Sequence, residues 1–478
     1  MLYSARNKVY YLFALCFVIL LIPIFLRGIY DNKLLIGGES FNSVRFAEYV
    51  HDNHGLPKED SLSYGVRPYF REYGLPILFS LKPYTFARWL PLIFGLLSFI
   101  FFYKIVSKIS FKINYLASLL FITSPAFIYL FSTATKYTVA VFLSLLGLYL
   151  YMEGREKWAM FIFSILGFFS YVISIFILII YLLYTLSNKK WNQFLFLLGV
   201  NIITFLLQFH KIFTLGLPET FFGFVNRNFD ELLRLLFSDF GGKNGISIFL
   251  FILGFVGVYF MWKERYKYLV VYFVLSLLII LSLYFNFLVY YVAMLISIFA
   301  AYAFMQLNEY DWRSKTFKFL TILIICCGLL FSSLSYIDRI TKFTPTKGFG
   351  EGLEFLKEQN ITTTVFSHYT RGSYLSYTGK RNFMDDNFLY APNVDGRYRD
   401  MWRLFRSKDI NEANAMINKY GIQYIWIDTE LREELYGKTE KEFLFLLRYS
   451  PQSFKKVFNN DDVEIYKYEP VNLTQVQV

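Results

Sequence analysis

Three kinds of side chain in residues 34–76 could do chemistry. Gly37-Gly38-Glu39 ends an extended segment, and an amphipathic helix is expected to begin at Ser40, with Phe41, Val44, Ala47 and Val50 on one face and Glu39 at its start. A carboxylate held there could deprotonate or orient a hydroxyl, or ligate a divalent cation. It could equally be a first-turn charge that satisfies the helix dipole. Arg45, Arg67 and Arg71 surround a turn rich in tyrosine and proline, SYGVRPYFREYG, which contains Tyr64. Guanidinium groups match phosphate oxygens bidentately, and at a membrane surface they also contact lipid headgroups. His51 and His54 are spaced i, i+3, but zinc takes at least three protein ligands and no third lies nearby, so no metal site is expected.

The elements that must position these groups are mostly apolar. The chain has 478 residues, 56% hydrophobic and 21% aromatic. Apolar runs fall at 9–26, 86–103, 113–131, 137–152, 158–171, 173–186, 191–208, 246–262, 267–284, 287–306 and 317–336. Judged against the ~17–25 residues a helix needs to cross hydrocarbon, they predict a polytopic α-helical membrane protein with about 11 transmembrane helices. The stretch 158–186 is too long for one ordinary helix, and Ser170-Tyr171 is the expected break. The first span lacks a small-x-small cleavage site and is read as retained.

The formal charge of +12 sits largely in short loops, so it is a topology signal and not a nucleic-acid footprint. With the N-terminus inside, the basic segments 104–112, 153–157, 187–190, 263–267 and 308–318 are all cytoplasmic. The large first loop (27–85), 132–136, 210–245, the turn at Asn286 and everything after 337 then lie outside. In 210–245, Phe229, Leu232, Leu233, Leu236 and Phe237 share a helical face. All three cysteines lie in apolar spans, which leaves no disulfide framework. The expected location is the cell membrane, multi-pass.

Composition changes after residue 342, dividing a transmembrane domain (1–342) from an extracytoplasmic α/β domain (343–478). In the second, 351–359, 411–419 and 441–447 read as helices and 362–367 as a strand. Residues 422–427 read as a central buried strand, and 454–458 with 463–468 as a closing hairpin.

Taken in order, these features resemble the GT-C superfamily of membrane glycosyltransferases, and within it the archaeal oligosaccharyltransferase catalytic subunits. Gly37-Gly38-Glu39 stands where the family has G-x-D. Leu62 to Pro68 stands at the turn that follows, and Ser124-Pro125 matches an S-P that closes the third span. The stretch VFSHYTRGSYLSYTGKRNFMDDN resembles the outer-domain strand and the motifs after it. Two departures are plain. His368-Tyr369-Thr370-Arg371-Gly372 keeps only the glycine of W-W-D-Y-G, and Ser132-Thr133-Ala134-Thr135-Lys136 has no acid where the second acidic motif belongs. Glu219, Asp230, Glu231 and Asp239 are the acids that could stand in for it.

The resemblance implies an inverting transfer of a sugar from a polyprenyl-phosphate-linked donor to a protein, lipid or glycan acceptor on the outer face. It implies no cofactor, and a divalent cation is unsupported without the second acidic motif. That pattern is closer to the protein O-mannosyltransferase and lipid A aminoarabinose transferase branches. On this reading Glu39 is the catalytic base, and Arg67 and Arg71, with Arg45, hold the phosphate beside Tyr64. Arg371, Arg381, Asp385 and Asp386 contact the acceptor, and membrane lipids surround the helices. The alternative is a non-catalytic scaffold that binds or translocates polyprenyl lipids in cell-surface glycan assembly.

Overall fold

A computed structural model describes residues 2–188, 190–216, 229–262, 265–360, 363–437 and 441–470. Helices cover every apolar run noted above. Among the described residues, five helices could cross a membrane by length and composition: Val9–Ile29, Pro83–Ile109, Trp191–Phe209, Leu288–Glu309 and Lys315–Thr341. A sixth span results if Asn114–Ile122 and Pro125–Ser132 are taken together. Lys136–Met152, Tyr171–Leu183, Ile248–Met261 and Leu269–Ser282 are apolar but shorter.

Two breaks have local causes. The expected single span 113–131 is two helices bent by 59°. Pro125 starts the second of them, and the Ser124 hydroxyl accepts the Phe127 N–H at 3.3 Å as its N-cap. The long apolar stretch parts at Ser170, whose extended backbone (φ −151°, ψ 103°) ends the Glu156–Phe169 helix.

The connecting segments gather at two ends. At one end Lys108 pairs with Glu153 at 2.7 Å and Lys190 pairs with Glu156. At the other, Lys211 donates to the Tyr69 carbonyl (3.3 Å), Asn244 to that of Asn286 (3.5 Å) and Arg339 to that of Gly242 (3.2 Å).

The first loop packs as a unit at the second end. Gly37 takes φ +79°, a conformation glycine adopts freely, and it turns the chain into the Gly38–Asn53 helix. That start is two residues earlier than the expected Ser40. The helix buries Phe41, Val44 and Ala47, and Phe41 meets Tyr374 and Tyr377 with ring centroids 5.2 and 5.0 Å apart. Strand β1 (Glu59–Asp60) then pairs antiparallel with β2 (Arg67–Pro68).

Beyond the last long helix a five-stranded sheet forms from β3 (Thr364–Phe366), β4 (Arg381–Asn382), β5 (Ile422–Asp428), β6 (Phe454–Asn459) and β7 (Val463–Tyr468), in the order β4-β3-β5-β7-β6. The apolar run 422–427 is the centre of that sheet, parallel to β3 and antiparallel to β7. Its Trp426 is fully buried. The first loop joins the sheet edge: Ser63 bridges Asn382, whose N–H donates to the Leu62 carbonyl at 2.8 Å. At the membrane side Arg27 is buried and donates to the carbonyls of Thr341 (3.1 Å) and Phe343 (2.9 Å), closing the end of the Lys315–Thr341 helix.

Candidate active site

Between the first loop, the apolar helices and the turn after β4 lies a cavity of about 550 Å³. Glu39 reaches it from the first turn of the Gly38–Asn53 helix. Arg71 and Glu72 reach it from the segment just after β2, Lys136 from the start of its helix, and Asp386 from the turn after β4. The opposite wall is apolar. Tyr171, Val172 and Ile175 face Phe205 and Phe209 from two neighbouring helices. Val172 and Ile175 are also 43% and 36% exposed, so this wall continues onto the outer surface of the helices.

The polar groups are unevenly satisfied. Lys136 Nζ lies 2.9 and 3.0 Å from the two Glu72 carboxylate oxygens. Asp386 accepts from the Ser373 hydroxyl at 3.3 Å. Among the described residues the Glu39 carboxylate has no hydrogen-bond or ion-pair partner, and Arg71 has no carboxylate partner. The Arg71 guanidinium lies 5.5 Å from the Phe46 ring centroid, held by that aromatic face and still able to take an anion. Burial pushes the Glu39 carboxyl above its ordinary range, opposed by Lys136 and Arg71 and reinforced by Asp386 and Glu72. The same burial, with Asp385 beside it, pushes up Asp386.

The other expected contacts are placed elsewhere, and all but Arg381 already have partners. Arg67 is 2% exposed and bound to Asp385 (2.6 Å) and Asp60 (3.1 Å). Arg45 forms a two-pronged pair with Asp60 at 2.8 and 2.9 Å. Tyr64 is buried and donates to the Asp385 carbonyl at 2.7 Å. Arg371 binds Asp428 at 2.8 and 2.9 Å and Glu430 at 2.9 Å, at the C-terminal end of the central strand β5. Asp385 is fully buried. Arg381 is exposed in β4 and does not line the cavity. Of the stand-in acids, Asp239 accepts from the Ile248 N–H and the Ser332 hydroxyl, both at 2.6 Å. Glu219 lies outside the described residues, and Asp230 and Glu231 sit in the Phe229–Leu236 helix.

Sequence reasoning passed over Glu72, Lys136, Asn42 and Ser373, which also line the cavity. One signal was available for Lys136: a lysine opens an apolar helix at the end that the expected topology puts outside, where the positive-inside bias disfavours it. Among the described residues no group of three His, Cys, Asp or Glu side chains could hold a metal ion.

No family model and no curated protein matches the sequence. Solved structures match the fold. An Archaeoglobus fulgidus oligosaccharyltransferase tethered to an acceptor peptide with the NVT sequon aligns over 97% of this chain and 75% of its own, with a TM-score of 0.58 at 14% identity. The archaeal oligosaccharyltransferase AglB of the same organism, in complex with an inhibitory peptide and a dolichol-phosphate, gives the same figures. ArnT from Cupriavidus metallidurans bound to undecaprenyl phosphate aligns over 96% of this chain and 98% of its own, with a TM-score of 0.52 at 12% identity. The chain therefore shares the fold of these oligosaccharyltransferase and ArnT structures, an apolar multi-helix part followed by a C-terminal globular part.

Proposed function

We propose that this chain is a membrane glycosyltransferase that moves a sugar from a polyprenyl-phosphate-linked donor to an acceptor hydroxyl, with inversion. One observation carries the reading. A single cavity holds an unpartnered carboxylate of raised pKa, two cationic side chains, and an apolar wall continuous with the outer surface of the helices. The lipid chain lies along Tyr171–Ile175 and Phe205–Phe209. The phosphate meets Arg71 and Lys136, with Glu72 holding the lysine in place.

Glu39 takes the proton of the acceptor hydroxyl. The acceptor oxygen then bonds to the anomeric carbon from the face opposite the phosphate. The bond from that carbon to the phosphate oxygen breaks, and the polyprenyl phosphate leaves with the electron pair. Asp386 and Ser373 face the acceptor side. The unit 343–478 and the first loop lie outside the cell on this reading, which the basic residues of the short loops support through the positive-inside bias.

The test is sugar transfer in membranes supplied with polyprenyl-phosphate sugars. Glu39→Gln keeps volume and shape but cannot accept the proton, so the rate should fall on the order of 10²–10⁴-fold with expression unchanged. Full activity in a well-expressed Glu39→Gln chain would remove Glu39 from the chemistry. Lipid-phosphate binding by the wild-type chain with no transfer from any donor would favour the scaffold alternative.

A further inference from the structure

A closed group of four charges lies directly behind the cavity. Asp60 accepts from Arg45 and Arg67, and Asp385 accepts from Arg67 at 2.9 and 2.6 Å, so Arg45 and Arg67 balance Asp60 and Asp385. Neutral groups complete it. The Ser63 hydroxyl donates to Asp385 at 2.9 Å and the Asn387 N–H does so at 2.9 Å, while the Leu62 N–H donates to Asp60 at 3.3 Å. Arg67 also donates to the Asn387 carbonyl. Arg67, Asp60 and Asp385 are 2%, 4% and 0% exposed, which leaves no room for a substrate anion between them.

The sequence positions of these four residues give the group its consequence. Arg67 lies a few residues before Arg71 and Glu72, and Asp385 adjoins Asp386 and Asn387. Arg45 donates to the Asn42 side chain at 3.1 Å, and Asn42 lines the cavity. Each arm of the quartet therefore ends on a different wall of the same cavity. Removing one arm leaves a buried charge unpaired, and the walls must shift to solvate it.

We infer that Arg67 is a positioning residue: through Asp60, Asp385 and Arg45 it locks the Tyr69–Glu72 segment, the Asp386–Asn387 turn and Asn42 into one rigid cavity rim, and it does not bind the donor phosphate. The kinetic half of the test rests on the proposed transferase reading; the structural half does not.

The structural half is hydrogen–deuterium exchange on the full chain in detergent, comparing wild type, Arg67→Lys, Asp385→Asn and the double variant. Each single variant should speed exchange in both 69–73 and 385–389, and the double variant should add little to either, because the two residues act as one unit. Faster exchange only in the segment that carries the substitution would overturn the inference. The kinetic half measures transfer against donor concentration. Arg67→Lys and Asp385→Asn should each lower kcat by roughly tenfold to a hundredfold with donor KM within about twofold, as misplaced groups do. A donor KM raised about tenfold by Arg67→Lys alone, with kcat kept, would make Arg67 a phosphate contact and overturn the inference. Loss of melting temperature with kcat and exchange both unchanged would mark a purely structural pair and also overturn it. A wild-type chain that transfers no sugar would fail the transferase reading, and exchange would still decide the rim.

Discussion

Two clusters of the same residue types lie next to each other and behave in opposite ways. In the quartet of Arg45, Asp60, Arg67 and Asp385, the guanidiniums and carboxylates close on one another. Although burial raises the Asp60 carboxyl, its two arginines outweigh that and hold it well below the usual carboxylate range. In the cavity, Glu39, Arg71, Glu72, Lys136 and Asp386 line one space, yet only Glu72 and Lys136 pair. Burial there wins over the cations and lifts Glu39. The difference teaches that an arginine near a membrane loop says little by its type alone. A satisfied charge holds the fold together, and an unsatisfied one in an open cavity is available to a substrate.

The contrast breaks first at the quartet. Asp60→Asn leaves Arg45 without its carboxylate and Arg67 with Asp385 alone, and it should cost on the order of 3–5 kcal/mol, read as a large fall in melting temperature. Glu72→Gln, in the half-open cavity, should cost about 1 kcal/mol or less by the same melt. Equal losses would erase the distinction between the clusters.

Acid sharpens the contrast. Glu39 has a raised folded pKa, so its charged form costs stability once pH rises through that value, and catalysis needs that charged form. The rate should therefore fall on the acid side with a midpoint above the ordinary glutamate value. Asp60 has a depressed pKa, so its contribution is fully present above the unfolded carboxylate value and is lost only as pH falls toward the lower folded one. Activity should disappear at a pH where the quartet still holds, as followed by a pH–rate profile beside a pH–melting profile. Loss of folding before loss of rate would contradict this order.

A smaller effect is expected from Glu39→Gln on stability. Removing a destabilised charge should leave the melting temperature level or raise it by about 1–2 °C, against its large loss of rate. The smallest is Tyr69→Phe. Among the described residues the buried Tyr69 hydroxyl has no hydrogen-bond partner, so deleting it should be neutral or slightly stabilising in a thermal melt.

Much of the fold was legible because its signals are local. The run 422–427 is short, apolar and flanked by helices, and it is the central strand. Ser170 interrupts an overlong apolar stretch, and the helices part there. The bend at Ser124-Pro125 was visible as a motif but not as a 59° turn, since a proline also tolerates a first helical turn. The site was legible only where side chain and backbone signal coincide, as at Glu39 after its glycine pair. Arg67 looked like Arg71 in sequence because its partner Asp385 is 318 residues away. Glu72 went unnoticed because Lys136, which makes sense of it, is 64 residues further on. The nearby Asp60 accounts for only part of the neutralisation of Arg67, and the Asp385 and Lys136 partnerships are long-range facts that no local pattern encodes.

The most direct test sets the two arginines against each other. Binding of a short-chain polyprenyl phosphate to the purified chain should be measured for wild type, Arg67→Lys and Arg71→Ala, with melting temperature recorded alongside. The division of labour predicts that Arg71→Ala weakens binding by about tenfold or more, as loss of a charge-assisted phosphate contact does, while Arg67→Lys stays within about twofold. The reverse result, with Arg67→Lys abolishing binding in a folded chain and Arg71→Ala leaving it intact, would contradict it.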